Sequence, residues 1–92
     1  MSEETQAHQQ IEERRENIDR IDKTIVELLN ERAEQVLAIR ELKGGAHIGL
    51  YDPKREEEVI ARACSFNEGP LYNDNLRDIY QGILKVMKEM PA

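Results

Sequence analysis

Apolar residues recur along the first half of the chain in two interleaved rows. Ile11, Ile18, Ile25 and Ile39 share one position of a seven-residue repeat, and Ile21, Leu28 and Leu42 share another. This is the a/d spacing of a helix packed along its length. Three polar residues interrupt the rows: Arg32 in the first, Arg14 and Gln35 in the second. No Pro or Gly breaks the stretch from Ile11 to Lys43, and Gly44-Gly45 follows as a left-handed C-cap signal. The start is less sharply marked. Residues 1–6 read as a frayed end, and the helix is expected to begin between Glu4 and Gln10. At 33 to 40 residues it would be about 50–60 Å long, against a radius of gyration of about 12 Å for a compact chain of this size. An apolar seam that long needs a second chain over it, most simply in a two-fold homodimer.

The pattern changes after Lys43. Gly44 to Tyr51 holds three glycines and reads as a loop. Asp52-Pro53 opens a second helix, with Asp as N-cap and Pro in the first turn, where a missing N–H costs nothing. Val59, Ile60 and Ala63 mark its buried face, and it ends near Ser65, before the turn cluster Asn67-Glu68-Gly69-Pro70. A third helix is expected from Tyr72 or Asn73 to Met90. Its apolar positions are Leu76, Ile79, Tyr80, Ile83, Val86, Met87 and Met90, at spacings of three and four. Gly82 inside it suggests a close helix–helix approach, since glycine otherwise costs about 1 kcal/mol there. No stretch alternates with period two. The expected fold is all-α: one very long N-terminal helix and two shorter ones, with residues 1–92 forming a single domain that pairs as an intertwined homodimer.

Composition narrows the function. A formal charge of −6 disfavours nonspecific binding to nucleic acid or an anionic membrane. No apolar run is long enough to span a bilayer. The single Cys64 gives no disulfide framework and fits a reducing cytoplasm. With two isolated histidines, His8 and His47, no metal site is expected.

The cations near the seam carry the chemistry. Lys43 lies eleven residues after Arg32, which is three turns plus about 20°, so both share a face about 16 Å apart along the axis. Gln35 and Ile39 lie between them, and the first turn of the second helix adds Arg55 and Glu56. Buried cations are costly without an anion. A small dianion gripped by arginine forks is the natural counterpart. Arg15 is about 25 Å from Arg32 and turned by about 100°. It cannot reach that pocket from the same helix, whereas the partner's Arg15 could in an antiparallel dimer.

These residues bring out a resemblance. Arg15-Glu16-Asn17-Ile18-Asp19 with Ile21-Asp22, Leu28-Leu29-Asn30-Glu31-Arg32, Lys43, and Tyr51-Asp52-Pro53-Lys54-Arg55-Glu56 stand at matching intervals in the all-helical (AroQ-type) chorismate mutases. The chain resembles that family from about Ile11 to Met90. The resemblance implies an intertwined dimer of three-helix protomers with two equivalent sites. It implies rearrangement of chorismate to prephenate without a cofactor. By position, Arg32 and the partner's Arg15 would hold the substrate carboxylates, and Lys43 would face the ether oxygen. Arg55 would line the cationic site, and Asp52 and Glu56 would meet the ring hydroxyl. Lys43, Arg32 and Glu56 are the catalytic candidates. Association with, or fusion to, another enzyme of aromatic biosynthesis is also expected. One departure stands out. Where the family carries a late third-helix Gln or Glu, this chain has Pro91, which has no donor. Glu89 is near that position, Gln81 is far too early, and Met87 replaces the family's serine.

Plainer readings stand beside these. Arg32 fits a snorkelling interface arginine, Lys43 a partner of its own helix dipole, and Arg14, Arg15 and Arg55 solvated charges. Asp52 is chiefly an N-cap, Glu56 complements the dipole of the second helix, and Gln35 fits a register-setting seam residue. Two other enzymatic or regulatory functions remain open: an isochorismate pyruvate-lyase on the same scaffold, and a non-catalytic helical dimer that binds an enzyme or senses a metabolite. The Asp-Pro-Lys-Arg-Glu run favours the mutase. Three polar positions in the seam argue against a bare coiled-coil adaptor.

Overall fold

The computed structural model describes residues 2–42 and 52–91. They form α1 (Glu3–Leu42), α2 (Pro53–Ser65) and α3 (Asn73–Glu89), and among the described residues there is no strand. The all-α expectation holds. The anticipated Gly44-Gly45 cap, the loop through Tyr51 and Lys43 itself lie outside the described residues.

The chain divides into two compact units, Met1–Gln35 and Val36–Ala92. The first is helical from Glu3 onward, and this start corrects the expected Glu4–Gln10 window. Ser2 caps it: its Oγ accepts from the Thr5 N–H at 3.2 Å and pairs with the Thr5 hydroxyl at 2.9 Å. The Ser2 carbonyl takes the Gln6 N–H at 3.1 Å, so the helix is already closed at Glu3. Local pairs then run along the surface. Arg15 donates to Glu12, Arg20 to Asn17, and the Asn30 amide to the Val26 carbonyl. None of α1 is buried, and the seam residues Ile11, Ile18, Ile21, Ile25 and Leu28 are 47–57 % exposed.

The second unit has a core of its own, built where α2 packs on α3. Ile60 and Met87 are buried, with Val59, Ala63, Leu76, Tyr80, Ile83 and Leu84 half-buried around them. Cys64 is a half-buried packing residue whose thiol faces the Asn73 carbonyl at 3.7 Å. The expected turn at 67–70 is present and is organised by Asn67. Its Oδ1 accepts from the Gly69 N–H at 2.9 Å, and its amide donates to Leu71 O and Asn73 Oδ1. Gly69 has φ +80°, a conformation side chains disfavour. The Tyr72 N–H at the head of α3 is taken by the Asn75 side chain at 3.0 Å.

Two expectations for α3 change. Ile79 and Val86 are exposed rather than buried. The 3.6 repeat gives α3 an apolar stripe broader than the face that α2 covers, and Leu84 is half-buried instead. Gly82 marks no close approach among the described residues: a Cβ there would meet none of them within 4 Å.

Candidate active site

Asp52 adopts an extended conformation (φ −134°, ψ 99°), and its Oδ1 accepts from the N–H groups of Lys54 and Arg55 at 3.1 and 3.3 Å. Its carbonyl takes the Glu56 N–H at 3.0 Å. One capping residue therefore fixes the first turn of α2 and with it the backbone of Arg55 and Glu56. Pro53 at the start adds a preset φ and has no amide to satisfy.

Three successive carboxylates follow, and each has a cation. Glu56 Oε1 meets Lys88 Nζ at 2.9 Å, with the side chains only 27 % and 36 % exposed. Glu57 receives Arg77 at 3.1 and 3.4 Å. Glu58 lies 4.0 Å from Arg55, both well exposed. Glu57 raises the Arg77 pKa, first through the hydrogen bond and then through charge attraction. A cation whose pKa is raised on folding adds stability that is lost only as pH climbs through that pKa. For an arginine this lies in the strongly alkaline range, so the pair is constant near neutrality.

In the first unit, Arg32 is half-buried, and among the described residues no hydrogen bond or ion pair holds it. Arg15 pairs with Glu12 at 3.0 Å with its side chain two-thirds exposed. Gln35 is exposed. Lys43 lies outside the described residues. Among the described residues no cluster of His, Cys, Asp or Glu could hold a metal, and no helix is long and apolar enough to cross a membrane.

Two cations beside this region escape periodicity. Lys88 lies 32 positions beyond Glu56 on another helix, a separation no local pattern reports. Arg40 reads as complementing the dipole of its own helix. In the structure it reaches the end of α3 instead, donating to the carbonyls of Met90, Met87 and Lys88 at 2.7, 2.8 and 2.9 Å. The available signal is an end of α3 without Gly or Asn at its C-cap, which leaves carbonyls needing a donor from elsewhere.

The family model "Chorismate mutase type II" matches residues 14–91. The bifunctional chorismate mutase/prephenate dehydratase of Neisseria gonorrhoeae is 40 % identical over 70 residues, 76 % of this chain and 19 % of that protein. The protein of the same description from Aquifex aeolicus is 35 % identical over 80 residues, 83 % of this chain and 22 % of its own length. The chain thus spans about a fifth of the length of these curated relatives. Among solved structures, Form I of chorismate mutase from Thermus thermophilus superposes with a TM-score of 0.79 at 35 % identity, covering 85 % of this chain and 98 % of that one. Form II gives 0.82 at 33 % identity, covering 88 % and 92 %. On a match that runs from Arg14 to Pro91 and likenesses that span nearly all of a solved relative, this chain belongs to the type II chorismate mutase family.

Proposed function

We propose that this chain rearranges chorismate to prephenate in a cationic pocket completed by two copies of itself. The observation that carries the reading is the family match over residues 14–91, which contains every cation and carboxylate assigned to the site. In this reading Arg32 and the partner's Arg15 hold the two carboxylates, Lys43 faces the ether oxygen, Arg55 adds positive potential, and Asp52 and Glu56 receive the ring hydroxyl. A half-buried Arg32 with no anion at hand among the described residues supports a role in binding one. The half-exposed isoleucine seam supports a second copy as its cover. A cytoplasmic location fits the lone half-buried thiol Cys64.

The chemistry needs little else. One C–O bond breaks as one C–C bond forms within a single molecule, with no nucleophile, proton carrier or cofactor. Confining the flexible dianion in its reactive chair-like shape removes conformational cost beforehand. Negative charge grows on the ether oxygen as the bond lengthens, and a fixed ammonium there favours the transition state over the substrate. Lys43 is that ammonium. Chorismate loss is followed by absorbance with the wild-type chain and Lys43→Ala. Turnover is expected from the first, with kcat lower by about a hundredfold to a thousandfold in the second. Near-normal turnover by the variant would remove Lys43 from the mechanism. Pro91, exposed beyond α3 where the family places a donor, favours the non-catalytic dimer as the second reading. A wild-type chain that leaves chorismate unchanged would select it, and a parallel assay on isochorismate tests the lyase.

A further inference from the structure

We propose that Arg40 and Lys88 are positioning residues of this site, and that together they let α3 act on the substrate through Glu56 although Pro91 removes its late donor. The inference rests on the proposed mutase reading and deepens it.

The contacts form a series within the Val36–Ala92 unit. One guanidinium takes the Met87 and Lys88 carbonyls in the last turn of α3 and the Met90 carbonyl at its C-cap, at 2.7–2.9 Å. Arg40 is half-buried, and its planar fork can address several acceptors at once, which a lysine ammonium on a flexible stem does less well. A cation at the negative end of α3 is favourable in its own right. One of the carbonyls it holds belongs to Lys88, so Arg40 fixes the backbone from which the Lys88 side chain departs. Lys88 Nζ then takes Oε1 of Glu56 at 2.9 Å across the α2–α3 packing. Partial burial of both side chains makes this pair stiffer than the exposed Arg55–Glu58 and Arg15–Glu12 pairs. With Oε1 held by Lys88, the Glu56 carboxylate is fixed in place to accept from a substrate hydroxyl.

A role in positioning Glu56 has a kinetic signature distinct from one in folding. The ring hydroxyl makes and breaks no bond, so its contact is equal in ground and transition states and appears in KM. Lys88→Met is expected to raise KM about tenfold with kcat within about threefold of wild type, and Lys88→Arg to restore KM. Arg40→Met should behave like Lys88→Met, and Arg40→Lys should not rescue it. Because the two residues act in series, the double variant Arg40→Met/Lys88→Met should raise KM no more than about twofold beyond the worse single variant. A merely structural role would reduce the folded fraction and hence kcat, with KM unchanged. That outcome, or KM within about twofold of wild type in Lys88→Met, overturns the proposal. If the wild-type chain itself fails to turn over chorismate, the mutase reading falls, and the Arg40 anchor is decided by NMR. A nuclear Overhauser contact between the Lys88 Hε and Glu56 Hγ protons that weakens in Arg40→Met supports the anchor, and an unchanged contact overturns it.

Discussion

Isoleucine meets opposite fates in the two units of this chain. Ile60, on α2, is 3 % exposed and sits in a core that α2 and α3 make between themselves. Ile18 and Ile25, on α1, are 53 % and 47 % exposed although they recur at strict seven-residue spacing. The side chain is the same; what differs is whether the chain supplies its cover. Burying such a side chain contributes about 1.5–3 kcal/mol, so a row of them left half in water is a large unused driving force. The difference teaches that the second unit carries its own packing, whereas the isoleucine row of the first stays half exposed within this chain. We propose a second copy as its cover.

Substitutions at matched positions test this contrast. The largest effect is expected from Ile25→Glu. A carboxylate in a seam between two chains costs more than about 3 kcal/mol, so the dimer should dissociate in sedimentation experiments and turnover should fall at least about a hundredfold. A monomeric wild type, or a variant with dimer and turnover intact, would break the comparison. Ile60→Ala comes next. It should lower unfolding free energy by about 2–5 kcal/mol in urea titrations while the oligomeric state at native conditions stays that of the wild type. Smallest is the cap of α2. Asp52→Ala should cost about 1 kcal/mol of stability and Asp52→Asn only a few tenths, because Asn also accepts the Lys54 and Arg55 N–H bonds. Equal losses in both variants would show that the cap geometry is not what Asp52 contributes.

Much of this organisation is legible along the chain, for reasons that particular residues make plain. Asp52-Pro53 marks the start of α2 because capping is a local hydrogen-bond problem with few solutions. Asn67 to Pro70 marks the turn for the same reason. The family is legible from the intervals between Arg15 and Glu56, and the family model that matches residues 14–91 bears that resemblance out. Local pattern does not report which part of an apolar stripe is covered. Ile79 and Val86 fall on the periodic face of α3 yet stay exposed in this chain, because periodicity names a face without naming its occupant. Ser2 escapes notice because a polar N-terminal end reads as frayed until the Thr5 N–H is seen on its hydroxyl. Arg40 and Lys88 stay hidden because their partners lie 47–50 and 32 positions away in sequence.

The central claim is that neither copy holds a complete site: Arg32 of one protomer works with Arg15 of its partner. Complementation tests it most directly. Arg15→Ala and Arg32→Ala are prepared separately, each expected to be nearly inactive, then mixed in equal amounts under conditions that exchange subunits. Random pairing makes half of the dimers mixed, and each mixed dimer rebuilds one intact site of its two. The account predicts recovery to about a quarter of wild-type turnover. Activity that stays at the average of the two parents after exchange is verified would contradict it.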